Sequence, residues 1–331
     1  MDISISAFNE RFMEKVGEVE GQMQLQAGGR QYIKTELQET AFSRAIIPQE
    51  PITTAQCQRN LNDNSLYVIR DIEPDAAAVA VDNLGEPNGR YIKGERYIIP
   101  IVNFKTERFQ ITVEDLRAYQ YKITKRIEDK SVTVIDKLED KLFMKLCGAA
   151  ITASRKGIKG STGVNFIFNK TDWITLKNTM KSGVAGVAAA ADARPKEVHA
   201  ILMTTNDWEQ VISLGAVSDD FGKDMFMNGY NEDILWGTKV VRTIKTDVLP
   251  VGHIWAYTKP DFLGHNFGLG DPTFEIRSNF GLIEWQSGES IGCNIGNIYS
   301  MAVLTLQGST GAIAVSGTIP AAFTNYYKAL L

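Results

Sequence analysis

TVEDLRAYQYKITKRIEDKSVTVIDKLEDKLFMKLC, residues 112–147, carries the longest regular pattern in the chain. Leu116, Tyr119, Ile123, Ile127, Ile135, Leu138, Leu142 and Leu146 recur at spacings of mostly three and four, the period of a helix with one apolar stripe. Glu114, Asp115, Lys122, Arg126, Asp129, Lys130, Glu139, Asp140 and Lys145 fill the other face. Thr112 and Asp115 have capping-box spacing, with Asp in place of the usual Glu. At 1.5 Å per residue, about 35 residues span roughly 50 Å, the length of a whole compact domain. A compact enzyme has little use for such a rod, whereas a flat, elongated plate does. The β-branched run Val132, Thr133, Val134 predicts a bend or interruption. The packing face is expected at Leu138, Leu142 and Leu146, with Asp136, Lys137, Glu139, Asp140 and Lys141 turned away from it. On that reading Glu139→Gln is nearly silent.

Upstream, residues 2–26 read as a helix anchored by Phe8, Phe12, Val19 and Met23 and ended by Gly29. Residues up to about 64 then look irregular, with Pro48 and Pro51, as suits an arm lying on a neighbour. Residues 67–72 and 97–104 are strand candidates separated by Pro74, Gly85, Pro87, Gly89 and Gly94. Such a two-stranded excursion is marginal alone. Downstream, Gly157, Gly160 and Gly163 mark a loop. Two strand-to-helix units follow: 164–168 into Thr171, Asp172 and Trp173, and 199–203 into Thr205, Asn206, Asp207 and Trp208. Then come a strand pair broken by Gly237, a turn at 248–252 and a strand at 254–257. Gly264, Gly268, Gly270 and Pro272 read as a loop, and strands are expected at 274–276, 282–285 and 299–306. Residues 308–331 are small and apolar, anchored by Phe323, Tyr326 and Tyr327.

With 331 residues, 44% apolar and 22% charged, the chain has the composition of a folded protein. Its net charge of -4 disfavours a dedicated nucleic-acid binder. Cys57, Cys147 and Cys293, odd in number and far apart, suggest a reducing compartment. Asn9, Glu10 and Arg11 arrive too early for a signal peptide, and no apolar run is long enough for a bilayer. His199, His253 and His265 lack partners at metal-ligand spacing, and there is no Cys-x-x-Cys pair. The glycine-marked 157–163 loop lacks the Gly-Lys-Ser/Thr ending of a P-loop, and Asp172 and Asp207 fall where helix-start residues belong. No catalytic residue, cofactor or metal is therefore expected. Charge is uneven: residues 1–40 hold seven acids against four bases, residues 90–108 five bases against two acids, and residues 145–181 seven bases against Asp172 alone. A solvated face with chance clustering accounts for this, and so do copies that interlock through opposite fields with one surface that tolerates a polyanion.

Taken in order, these elements resemble the HK97-fold major capsid proteins of tailed bacteriophages. His199-Ala-Ile-Leu-Met-Thr-Thr-Asn-Asp-Trp-Glu-Gln-Val-Ile212 looks like that family's strand-then-helix element; Leu235-Trp-Gly-Thr-Lys-Val-Val241 and Leu249-Pro-Val-Gly252 look like its glycine-marked strand and turn. The resemblance implies an α+β fold with an N-terminal arm at 1–60, an E-loop at 61–108, a P domain with its long spine helix at 109–160, an A domain at 161–270, and a return to the P domain with a C-terminal tail at 271–331. It implies a subunit that assembles through pentamers and hexamers into an icosahedral head shell around double-stranded DNA. Such a subunit forms in the host cytoplasm and resides in the virion, without contact with a membrane. A separate scaffolding protein, favoured by Met1 at the start of the arm, a portal and a decoration protein are the implied partners. Arg155, Lys156 and Lys159 would face the DNA without reading its bases, and Arg90, Lys93 and Arg96 would make E-loop contacts between subunits. Some members join subunits by a Lys–Asn bond; Lys93 and one of Asn279, Asn294 and Asn297 lie at plausible places, with nothing to single out a pair. An encapsulin-like nanocompartment shell shares the fold and is the alternative, with a two-lobed α/β enzyme as a reading of another class.

Overall fold

The computed structural model describes residues 5–59, 65–72, 95–118, 123–154, 156–159, 170–182, 197–215, 234–235, 237–279 and 281–306. Its first elements are helices α1 (Ile5–Gly17), α2 (Val19–Thr40) and α3 (Phe42–Ile46). The segment read as an irregular arm is thus helical to residue 46. Gly29 does not end a helix. It lies where α2 meets Phe274, and a methyl group there would overlap that ring. Glycine permits the close approach, and tertiary packing outweighs its poor helix propensity. Phe12, Val16, Ile33 and Leu37 are buried, whereas Val19 and Met23, expected as anchors, are exposed. The break at residues 17–18 resets the helical phase, so one period cannot be carried across it.

Strands β1 (Gln49–Ile52), β2 (Gln58–Arg59), β3 (Leu66–Ile72), β4 (Glu95–Lys105) and β5 (Phe109–Thr112) follow. As expected, β3 and β4 pair antiparallel, in register from Leu66 with Ile101 to Ile72 with Glu95. Residues 73–94, which include the expected tip, lie outside the described residues. The amphipathic stretch forms α4 (Val113–Ala118) and α5 (Ile123–Ser154). Thr112 Oγ1 accepts the Asp115 N–H at 3.0 Å and donates to Asp115 Oδ2 at 2.6 Å, the cap that the spacing predicts. With 32 residues, α5 is about 48 Å long. It runs through the β-branched triplet without a break. Val132 packs in the core while Thr133 and Val134 face outward, so the branched side chains do not crowd one face.

The rest of the chain contributes β6 (Gly157–Lys159), α6 (Lys170–Ser182), β7 (Ala200–Thr204), α7 (Thr205–Gly215), β8 (Ile234–Leu235), β9 (Thr238–Thr243), β10 (His253–Tyr257), α8 (Pro260–Leu263), β11 (Gly264–Leu269), β12 (Thr273–Asn279), β13 (Leu282–Ile295) and β14 (Met301–Thr305). The expected strand at 164–168 and the tail at 308–331 lie outside the described residues. Gly264 and Gly268 sit inside a strand, not the expected loop. At Gly264 a side chain would run into the backbone of Asn294 on the neighbouring strand. Strand β13 also exceeds its expected end at 285 by ten residues, running to Ile295. Gly288 and Gly292 within it would, with side chains, crowd Phe104 O and Ile101.

Two sheets result. One is ordered β6-β14-β10-β7-β9-β8; the other runs β1-β11-β13-β4-β3-β2, with β12 and β5 also paired to β13. In the first sheet, Leu202, Val241, Trp255, Tyr257, Met301 and Val303 face a core shared with Phe143, Leu146, Cys147 and Ile151 of α5. Their neighbours Ile201, Met203, Val240, Ile254, Ala256, Ala302 and Leu304 face Trp173, Leu176, Met180, Trp208 and Val211 of α6 and α7. This period-two alternation makes a three-layer sandwich covered on both faces. The α5 core also takes Phe104, Ile291, Cys293 and Ile295 from the second sheet, so one helix joins the two. A third core packs α1 and α2 on β12, β13 and the first half of α5, with Phe12 stacked on Trp285 at 6.2 Å.

Candidate functional site

Of the three basic residues expected to face a polyanion, Lys156 is buried, at 3% exposure. Its ammonium donates to Tyr299 O at 2.8 Å and Met180 O at 3.5 Å and lies 5.7 Å from the centre of the Tyr299 ring. Parallel pairing of β6 with β14 adds the chain to the edge of the sheet directly after α5, with Lys156 turned inward. It clamps the ends of α5 and α6 to the Tyr299 turn. Arg155 lies outside the described residues, and Lys159 is the last residue of β6. On the excursion, Arg96 is exposed and pairs with Asp71 across the β3–β4 ladder at 2.7 Å. An exposed pair of this kind adds little stability. Arg90 and Lys93 lie outside the described residues. Asn294 is buried and donates to Ile98 O at 3.1 Å, Asn297 accepts the Tyr299 N–H at 2.9 Å, and Asn279 closes β12. Asn294 and Asn297 thus bond to the chain's own backbone.

The strongest electrostatic feature lies on the α5 face expected to be solvated. Glu139 is 2% exposed and Asp140 0%, while Leu138 is 43% exposed. The buried arc runs through Ile135, Asp136, Glu139, Leu142, Phe143 and Leu146, because α3 and the turn after β9 cover the acidic side. Arg44 of α3 donates to both oxygens of Glu139 at 2.7–3.1 Å and to Glu289 of β13 at 2.7 Å. Gln49 bridges Arg44 and Glu289, and Ser43 Oγ donates to Glu139. Beside this group, Lys245 from the turn after β9 lies 2.6 Å from Asp136 and 2.5 Å from Asp140, which also accepts the Ser43 N–H at 3.0 Å.

Burial pushes Glu139 above the usual carboxylate range, against the pull of Arg44. Burial also works against the charge of Arg44, but Glu139 and Glu289 outweigh it and strengthen its hold on the proton. The sequence did carry a signal: Arg44 interrupts the apolar run Ala41–Ile47, and Asp136, Glu139 and Asp140 share one helical face next to Phe143. Long charged side chains are rarely buried unless paired.

Asp207 is likewise structural. Thr204 Oγ1 donates to it at 2.7 Å and accepts its N–H at 3.2 Å, repeating the Thr112–Asp115 cap, and its carboxylate accepts the Gly252 N–H at 3.0 and 3.1 Å. Helix start and turn are thereby tied together, and Gly252 has the positive φ that the turn needs. Asp172, also buried, stands in the first turn of α6. Among the described residues no group of three or more His, Cys, Asp or Glu is placed to hold a metal ion, and no helix is long and apolar enough to cross a membrane.

No protein-family model matches the sequence, and no curated protein does. Solved structures do match in fold. The capsid of cyanophage P-SCSP1u aligns over 76% of this chain and 86% of its own, with 12% identity and a TM-score of 0.53. A virus-like particle from Pyrococcus furiosus aligns over 86% of this chain and 100% of its own, with 14% identity and a TM-score of 0.52. A structure from Mycobacterium phage Cain aligns over 82% and 92%, with 12% identity and a TM-score of 0.54. The chain therefore has an α+β fold resembling the HK97-like capsid architecture.

Proposed function

We propose that this protein is a shell-forming subunit, the major capsid protein of a tailed bacteriophage, assembling into an icosahedral head around double-stranded DNA. The observation that carries this reading is the fold match over nearly the whole length of the cyanophage and Pyrococcus particle subunits. The plan of the subunit agrees with it. A helix of 32 residues joins two sheets, and β3 and β4 pair as an antiparallel ladder on which Arg96 is exposed. In this reading the arm is 1–60, the E-loop 61–108, the spine and its surroundings 109–160, the A domain 161–270, and the return and tail 271–331. Scaffolding protein, portal and decoration protein are its partners, and Arg155 and Lys159 are the remaining candidates for non-specific contact with DNA. The role is structural, without catalysis, and its place is the virion. A second reading, an encapsulin-like nanocompartment shell, shares the fold, and the full coverage of the virus-like particle from Pyrococcus furiosus is compatible with it.

Expression of the chain with its neighbouring gene products, followed by light scattering and negative-stain microscopy, tests assembly. Closed particles are expected; monomers and dimers alone would overturn both shell readings. Nuclease-resistant double-stranded DNA inside particles from the native source separates genome container from empty compartment.

A further inference from the structure

We propose that Asp136, Asp140 and Lys245 form a proton-sensitive latch, which holds α3 and the 244–250 turn against α5 while Asp140 carries a proton and slackens when Asp140 ionises beside Asp136. Charge counting comes first. Among the described residues, the groups facing the two carboxylates are the Lys245 ammonium from the turn, and the Ser43 N–H and Phe42 ring from α3, with Lys245 5.6 Å from the ring centre. Glu139, next along α5, is engaged by Arg44, which it shares with Glu289 of β13. Lys239 of β9 donates to the Ala45 carbonyl, and Lys137 and Lys141 pair with Asp247 on the outer side of the turn. Two buried carboxylates thus face one ammonium, and the next group along has two carboxylates on one guanidinium. Full ionisation leaves each group one negative charge in excess, in surroundings where Asp140 has no exposed surface.

Geometry supplies a second reason. Asp136 Oδ1 is close to Lys245 but has no donor aligned for a hydrogen bond among the described side chains. With Asp136 at 2.6 Å and Asp140 at 2.5 Å, one ammonium is divided between two carboxylates, and a proton on Asp140 removes the surplus. Burial, and after it the repulsion of Asp136, against the attraction of Lys245, pushes the Asp140 carboxyl up to about 7.

The direction of the switch follows from linkage. A carboxyl raised in the closed state binds more protons there than in an open, solvated state of ordinary acidity. The closing free energy is fully present below about pH 4, declines from there to about pH 7, and is lost above it. Acid tightens this latch and base loosens it. Both segments respond together, since Ser43 of α3 and Lys245 of the turn hold the same carboxylate.

Hydrogen exchange on the full chain reads this directly. Amide protection in peptides covering 42–47 and 244–250, corrected for the intrinsic pH effect and referred to β10 amides, should fall about tenfold or more between pH 5 and pH 8. In Asp140→Asn, which keeps an oxygen to accept the Ser43 N–H but cannot ionise, protection should be flat across that range. Protection in the unsubstituted protein that does not change with pH, or an Asn variant that follows the same curve, overturns the latch. Should the variant fail to fold, infrared titration of the unsubstituted protein still decides. A buried carboxylic-acid carbonyl band that disappears between pH 6 and pH 8 is expected, and its absence refutes the proposal. Neither result depends on whether the chain forms shells.

Discussion

Arg44 holds three stretches of chain that are distant in sequence: α3 on which it sits, Glu139 in mid-α5, and Glu289 in β13. Replacing it by Met leaves two buried carboxylates without their cation and should cost about 3–5 kcal/mol, read from the denaturant midpoint at pH 7. Arg44→Lys should recover only part, because an ammonium cannot match the fork that spans both Glu139 oxygens. Glu139→Gln, silent if the side chain were solvated, should cost about 1.5–3 kcal/mol, because hydrogen bonds to a charged group are lost. The cysteines give a chemical check. Cys147 is buried, and burial pushes its thiol up to about 12. Cys293 is buried too, while Cys57 is half-exposed. A thiolate reagent should modify Cys57 alone in the native protein and all three after unfolding; rapid native labelling at Cys147 would contradict the packing of α5.

At the scale of the element, α5 makes the clearest forecast. Leu142→Ala should cost about 2–5 kcal/mol through lost transfer energy and a cavity, and Leu142→Asp should abolish soluble protein. Leu138→Asp, one turn away but outside the buried arc, should change stability little, and soluble yields of the two Asp variants test the helix phase. Thr112→Ala should cost about 1 kcal/mol as a lost cap, and Thr204→Ala more, since it also frees a buried Asp207. The sequence revealed this helix, the Thr112–Asp115 cap, the helix start at Asp207, the β3–β4 pair and the Gly237 hairpin because each is written in local periodicity or turn chemistry. It concealed whatever distant partners decide. Gly29 and Gly264 read as breaks because the Phe274 ring and the Asn294 backbone that require a glycine lie more than two hundred and about thirty residues away, respectively. The acidic face of α5 read as solvated for the same reason: Arg44 and Lys245, which neutralise it, come from about a hundred residues to either side. Among the charges expected to act between molecules, Lys156 is buried. A lysine next to a glycine-marked loop looks solvent-bound until a strand pairing at the sheet edge turns it onto Tyr299 and Met180.

At the scale of the whole molecule, β3 and β4 pair from Leu66–Ile101 to Ile72–Glu95, so replacing residues 75–89 with a short flexible linker should preserve the thermal midpoint within a few degrees and, on the proposed shell reading, reduce association between copies. Loss of the folded subunit would contradict this. One feature of the sheet also bears on the order in which the protein can be made. Strand β13, Leu282–Ile295, pairs with β11, β12, β4 and β5, and through β11 it places β1. Nothing upstream can substitute for it. A ribosome moving at about 5–20 residues per second releases α1, α2 and the first five strands many seconds before their central partner leaves the exit tunnel. Through that interval Phe12, Ile33 and Leu37 lack Ile283 and Trp285 of their core and β4 lacks its β13 neighbour, so messages truncated before residue 282 should yield only insoluble product.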